Sequence, residues 1–278
     1  MLNVDLHCHS TASDGSYSPD ELAVIAKSKN VDIWSLTDHD VLSGQERASK
    51  KAQELGIKYV SGVEISATWA GKTVHIVGLN FDIHNIEIYQ GLESIRRGRV
   101  IRAQEMASKF DALGISGTFE GAMRYSDKEE NLSRTHFARY LVDAGVCSQL
   151  QEVFDRYLTP GKPAYVAGNW ATLEDAVSWI VSAGGVPVIA HPGRYKYSTD
   201  EFVKFFNQFK DFGGMAIEVV TGSHFPSQYV EYEFIAKKYG FWASCGSDFH
   251  GLEKDNMQLG EVPALPKGLD PVWEHFNE

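Results

Sequence analysis

The chain has 278 residues, 43% of them hydrophobic, and a formal net charge of -11. That is enough for one large domain, or a domain with an insertion, built around a real core, and the acidic balance excludes a protein that coats nucleic acid through a basic surface. No run of about eighteen apolar residues exists to cross a membrane. The start Met1-Leu2-Asn3-Val4-Asp5 lacks a secretion signal, and three cysteines without CxxC spacing fit a reducing compartment, so a cytoplasmic protein is expected.

Apolar runs alternate with helical periodicity from the first residues. Residues 4–7 read as a strand, and 19–29 as a helix with Ser18 as N-cap and Pro19 in its first turn. A strand over 32–37, a helix over 43–55, a strand over 58–64 and a longer strand over 72–81 follow. This is the order of a parallel α/β sheet or barrel. The middle changes character: 85–113 is a long charged helix, and 133–144 and 149–157 are two more. No convincing strand interrupts them, so 85–165 reads as a helical insertion. The alternation resumes with helix 173–182, strand 186–190, helix 199–212, strand 215–220, helix 228–239 and strand 241–245. Residues 1–84 and 166–278 would together form the α/β body, with an irregular tail beyond Gly260.

Metal-type side chains gather at the ends of these strand runs. They are His7 and His9 in Asp5-Leu6-His7-Cys8-His9, Asp14, His39 in Thr37-Asp38-His39-Asp40, Glu64 in Gly62-Val63-Glu64-Ile65, His75, His191 before Pro192-Gly193, and Asp248 with His250. Imidazole and carboxylate are donors that borderline divalent metals prefer. Alternate residues of a strand share a face, so His7 and His9 point together and Cys8 points away. Singly, each has an ordinary explanation: Glu64 as a loop residue or cap, His75 as a core histidine, His191 as a turn residue, His39 as a surface residue. Together they are too many accidents at strand ends, where α/β barrels build their sites. They are also too many for one ion. They suit two or three divalent ions, the arrangement that phosphate-ester hydrolysis uses to bind a phosphoryl group, generate hydroxide and stabilise the leaving oxygen. Such a cluster supplies its own local positive charge whatever the net charge.

The ordered set Asp5-x-His7-x-His9, Thr37-Asp38-His39-Asp40, Gly62-x-Glu64, His75, His191-Pro192 and Asp248-x-His250 resembles the PHP (polymerase and histidinol phosphatase) superfamily over residues 5–250. The resemblance implies an α/β fold, a distorted (β/α)7 barrel with the metal cluster at its C-terminal mouth. It implies a first metal on His7, His9, Glu64 and Asp248, a second on Glu64, His75 and His191, and a third on Asp14, His39 and His250. His191, Glu64 and Asp248 would then stand at the reacting centre. The family resemblance favours manganese, and the thiolate-free donor set also allows iron or zinc.

A phosphate substrate needs cations beside such a cluster. Arg194 follows the His191 turn. Ser133-Arg134-Thr135-His136 opens a helix whose free amides and Arg134 could hold an anion, against ordinary capping by Ser133. Lys162 lies in the constrained loop where the insertion rejoins the body. His224 follows a strand and could line the mouth, and either it or His191 could protonate the leaving group. Arg96, Arg97, Arg99 and Arg102 read first as a solvated helix face, and second as a track for distal phosphates. His84 and His275 receive no metal role, and Trp34 and Trp242 read as core.

The insertion is similar to that of the family branch containing 3',5'-nucleoside bisphosphate phosphatases and 5'-to-3' exonucleases acting on RNA and short oligonucleotides. The resulting expectation is a metal-dependent phosphoesterase acting on a phosphorylated nucleotide or a short oligonucleotide. Histidinol phosphatase is the enzymatic rival, opposed by the insertion. A non-catalytic, metal-binding regulatory PHP module is the rival of another class, opposed by the complete ligand set.

Overall fold

The computed structural model describes residues 2–126, 128–168, 170–251 and 257–276. Three short strands, β1 (Val4–Asp5), β2 (Ile33–Ser35) and β3 (Lys58–Val60), pair in parallel. Between them run α1 (Pro19–Ser28) and α2 (Gln45–Leu55). Ser18 caps α1 as its sequence requires: its side chain accepts from the Glu21 amide, and Glu21 reaches back to the Ser18 amide at 2.8 Å. Trp34 is fully buried against Cys8, beneath the two helices.

The single strand expected over 58–64 is two. After β3, β4 (Gly62–Trp69) turns through Ala70-Gly71, both at positive φ, into β5 (Lys72–Leu79) as an antiparallel hairpin. A Cβ on Gly62 would lie 2.1 Å from Ser35 Oγ, so the close approach that starts β4 needs glycine. Glu64 therefore sits inside a strand, and not at a strand end as the sequence implied, while His75 lies within β5, inside the strand expected over 72–81. The periodicity of β4 was hidden because Glu64 and Ser66 on its second face are as buried as Val63 and Ile65 on its first.

The remaining elements are β6 (Ala171–Thr172), α7 (Leu173–Ser182), β7 (Val186–Ile189), α8 (Thr199–Asp211), β8 (Ala216–Thr221), α9 (Pro226–Tyr239) and β9 (Trp242–Gly246). They complete a six-stranded sheet of order β6-β4-β5-β7-β8-β9, in which β7, β8 and β9 are parallel. The fold is thus mixed α/β around a central sheet. Isolated parallel bridges, Cys8 with Phe249 and His39 with Glu64, join the two sheets. The tail beyond Gly260 is irregular apart from a turn of 3-10 helix at Val272–Glu274, and its last two residues lie outside the described ones. Trp242 is half-buried and stacks on His275 at 3.9 Å.

Between β5 and β6 the chain is helical: α3 (Ile86–Ala112), α4 (Thr118–Met123), α5 (Arg134–Asp143) and α6 (Leu150–Val153), which runs into a π-helical turn at Phe154–Leu158. The sequence had not marked α4. Two cores share α3. Ile88, Leu92 and Ile95 pack on the sheet, whereas Met106 and Phe110 pack with Phe137, Leu141 and Leu158 in a separate apolar cluster. Arg96, Arg99 and Arg102 are not a solvated face; all three are buried, and only Arg97 of the run is exposed, paired to Glu93. Among the described residues, no helix is long and apolar enough to cross a membrane.

Candidate metal centre

Glu64 is the hub. Buried on β4, it places Oε2 at 3.0 Å from His39 Nδ1, 3.2 Å from His9 Nε2 and 3.3 Å from His7 Nε2. Its Oε1 lies 2.8 Å from both His75 Nδ1 and His191 Nε2. Five histidines from four segments thus meet on one carboxylate. Asp248 Oδ1 faces His7 and His9 at 3.5 and 3.4 Å, and Asp14 Oδ1 faces His250 and His39 at 3.6 and 3.9 Å.

Among the described residues, three groups are compact enough to hold an ion: His7, His9, Glu64 and Asp248; His9, Asp14, His39 and His250; and His39, Glu64 and His75. The first is the set the motifs implied. The second adds His9 to the implied third set. The third group takes His39, while His191 stands beside it on Glu64. The donor set fits metal on a further observation. His7 Nε2, His9 Nδ1 and Nε2, Asp14 Oδ1, His39 Nδ1, Glu64 Oε2, His75 Nδ1 and His191 Nδ1 are all buried without a hydrogen-bond partner. Buried polar atoms are rarely left so, and here every one of these residues but His191 belongs to the three groups just named.

The electrostatics agree. Burial opposes charge on His7, yet the carboxylates of Glu218, Glu64 and Asp248 hold its pKa well above the ordinary histidine value. His9 is raised to about 10, with burial again outweighed by Asp248 and Glu64. Burial pushes His39 down. Glu64 and Asp248 stay well below the usual carboxylate range because, against burial, imidazoles surround them. The cluster is a set of carboxylates that demands positive charge.

Strain marks the same place: Asp248 and His191 have φ of 54° and 27°, conformations that non-glycine residues adopt only where the surroundings enforce them. Sequence reading missed Glu218. Its Oε1 accepts from His7 Nδ1 at 2.7 Å, and its other oxygen accepts from the His191 amide. This fixes the His7 tautomer so that Nε2 faces the centre, the usual task of a carboxylate behind a metal-binding histidine. The signal was present as the lone acid in Ala216-Ile217-Glu218-Val219-Val220. Asp38 and Asp40, noted only as neighbours of His39, are also structural. Asp38 holds Ser10 and Ser13, and Asp40 holds Ser66 and Arg99.

The helical segment between β5 and β6 reaches the centre directly. Ser133 caps α5, and its Oγ lies 3.2 Å from Asp14 Oδ2. Arg139 donates to the Asp14 carbonyl at 2.8 Å, and Asn131 to the Ala12 carbonyl at 2.8 Å. His136 is buried and closes the capping box, accepting the Ser133 amide on Nδ1 at 3.1 Å. Arg194 places Nη1 3.1 Å from Asp248 Oδ2 while half its side chain stays exposed. His224 is buried with both nitrogens engaged: Nδ1 donates to the Val219 carbonyl, and Nε2 accepts from the Gly193 amide at 2.9 Å. It holds the turn that carries Arg194 and has no free proton to give. Lys162 is exposed, and no contact among the described residues brings it to the centre. A cavity of about 850 Å³ opens between Asp248, His250 and Arg194 on one side and Thr135, Arg139, Phe154 and Gln151 of the helical segment on the other.

A pocketed cluster of carboxylates and imidazoles on an α/β sheet defines the class of metal-dependent hydrolases. The PHP domain model matches residues 5–186, and the chain belongs to that family. It is 45% identical over 277 residues to a 3',5'-nucleoside bisphosphate phosphatase of Chromobacterium violaceum, spanning 100% of this chain and 97% of that one. It is 40% identical over 272 residues to a 5'-3' exoribonuclease of Haemophilus influenzae, spanning 98% of each. A solved C. violaceum amidohydrolase, with sulfate bound and no metal, superposes with a TM-score of 0.95 at 45% identity, covering 99% of this chain and 96% of the other.

Proposed function

We propose that the protein is a metal-dependent phosphoesterase that removes a phosphate from nucleotides, with 3',5'-bisphosphonucleotides as the leading substrate class. The observation that carries this is the convergence of five histidines on Glu64 beside an open cavity. The reading takes two or three ions: the donors, all nitrogen or oxygen, suit manganese, iron or zinc, and the resemblance to the PHP family favours manganese. When bound, such ions supply Lewis acidity and a nucleophile of lowered pKa. Glu64 would bridge, His7, His9 and Asp248 would hold one position, His39, Asp14 and His250 another, and His75 and His191 would complete the third. Arg194 would orient the reacting phosphate, and Arg134, one residue from the Ser133 contact to Asp14, would orient its neighbour.

The finer architecture follows the same reading. The Cys8–Phe249 and His39–Glu64 bridges would join the two sheets into a distorted barrel of the (β/α)7 kind that the family resemblance implies, and 85–165 would be a unit inserted in it, sharing α3 with the body. Three buried free cysteines suit the cytoplasm. A second activity, release of the 5'-terminal nucleotide from short RNA, is favoured by the cavity, which continues past the centre to Gln151 and leaves room for a further nucleotide. Turnover of adenosine 3',5'-bisphosphate, 5'-phosphorylated oligoribonucleotides and histidinol phosphate by manganese-loaded protein tests the reading. Nucleotide substrates should dominate; preference for histidinol phosphate, or no turnover of any, refutes it.

A further inference from the structure

We propose that α5 and the turn before it clamp the loop carrying Asp14, and that Asn131, Ser133 and Arg139 are positioning residues for the ion that Asp14, His39 and His250 would hold. This rests on the metal-dependent phosphoesterase reading and adds a coupling to it. That ion and the docking of α5 stabilise each other, while the ions of the other groups do not depend on α5.

Asp14 lies in a turn between β1 and α1, so no strand or helix of its own holds it. The start of the turn is held from the body. Asp38 accepts from the Ser10 amide and from the Ser10 and Ser13 hydroxyls, and the Ser13 and Gly15 amides return to the Ser10 carbonyl at 3.1 and 2.9 Å. The other side is held by the helical segment. Asn131 Nδ2 donates to the Ala12 carbonyl at 2.8 Å, and Ser133 Oγ to Asp14 Oδ2 at 3.2 Å. Arg139 Nη2 donates to the Asp14 carbonyl at 2.8 Å and to Ser16 Oγ at 3.1 Å. Ser133, His136 and Arg139 follow at intervals of three, which brings them to one side of the helix. The buried His136, accepting the Ser133 amide, fixes the first of them.

The clamp selects which oxygen of Asp14 serves the centre. With Oδ2 taken by Ser133, Oδ1 is buried without a hydrogen-bond partner and faces His250 and His39 at 3.6 and 3.9 Å. The grip also reaches a second member of the same group, because the Ser16 amide donates to the His250 carbonyl at 2.8 Å. Partners behind a ligand orient it and tune the ion it holds. The rest of the centre is held differently: Glu218 on β8 fixes His7 and His191, and Glu64 and His75 lie within the β4–β5 hairpin. One position of the cluster is thus shared between the body and the helical segment. Coupling of this kind is reciprocal: whatever α5 adds to the affinity of that ion, the ion adds to the docking of α5. Thr135 and Arg139 also line the cavity with His250, so the clamp forms part of its wall.

Two readouts test it, neither of them turnover. In manganese titrations against a competing chelator, Asp14→Ala identifies the ion by the binding step it removes. Arg139→Met keeps the apolar stem and removes the donors; it should weaken that same step at least about tenfold and leave the other steps within about twofold. Ser133→Gly, tolerated at an N-cap, should weaken it through the carboxylate alone, and Ser133→Thr, which keeps the hydroxyl, should restore it. By hydrogen exchange, the amides of α5 and of residues 12–16 should be slower in wild type once that ion is loaded, and this dependence on manganese should vanish in Arg139→Met. A clamp that only braces the fold would instead speed α5 exchange with or without metal and leave every ion affinity as it was. An unchanged step in a folded variant, equal weakening of all steps, or α5 exchange indifferent to manganese in wild type overturns the proposal, as does a wild type with no step for Asp14→Ala to remove. If Arg139→Met fails to fold, the Ser133→Gly and Ser133→Thr pair decides. If wild type binds its ions but hydrolyses no nucleotide, the phosphoesterase reading fails and the titration still decides the clamp.

Discussion

Glu218 makes the sharpest test of how the centre is held. It is 1% exposed and serves two donors at once, His7 Nδ1 at 2.7 Å and the His191 amide. In Glu218→Gln the shape stays and the chemistry does not. The amide oxygen can accept from one donor only, so the NH₂ faces the other. A buried N–H left without an acceptor costs about 1–3 kcal/mol, so the metal-free protein should lose about that much stability, read by urea unfolding. Loss of the carboxylate behind His7 should also weaken the binding of an ion by the group His7, His9, Glu64 and Asp248 by about 10- to 100-fold, or about 1.4–2.7 kcal/mol. Chelator competition measures that directly, ion by ion. The ions held by residues remote from Glu218 should keep their affinity. If Glu218→Gln binds all ions as the wild type does and unfolds at the same urea concentration, Glu218 does not orient His7.

Three further outcomes follow. Glu64→Ala, which removes the carboxylate common to five histidines, should lower activity at least about a hundredfold and reduce bound metal with the circular dichroism retained; near-normal turnover refutes the hub assignment. Metal binding at pH 7 should release protons, because His9, raised to about 10, is charged in the metal-free protein and must deprotonate to ligate. Apparent affinity should then rise with pH, and calorimetry showing the same heat in buffers of different ionisation enthalpy contradicts this. Gly91→Ala would place a Cβ 2.4 Å from the Trp179 ring where α3 crosses α7; a loss of about 1–3 kcal/mol in urea unfolding is expected, and an unchanged midpoint shows that the two helices separate at no cost.

Much of the centre was legible in the amino-acid order. His7 and His9 flank Cys8, and alternation alone sends the two imidazoles one way and the thiol into the core, where Cys8 is fully buried. The caps of α1 and α5 were equally readable, because Ser18 with Glu21, and Ser133 at the head of its helix, act within one turn of chain. Local chemistry of this kind does not depend on what lies across the molecule.

Tertiary structure decided the rest, because burial is a property of neighbours far away in sequence. Arg96, Arg99 and Arg102 have the spacing of a solvated helix face, and they are buried where Asp40, Glu130, Val166 and Trp170, distant in sequence, meet α3. The β4–β5 hairpin was hidden because both faces of β4 are interior, so polar alternation carried no sign of exposure. Glu218 looked like one acid in an apolar strand until β8 placed it behind His7, 211 residues away along the chain. The sequence by itself determined which atoms could bind metal; which of them lie close enough to share an ion, and which carboxylate holds the His7 ring in place, were settled by long-range packing, since charge compensation and desolvation act through space and not along the chain.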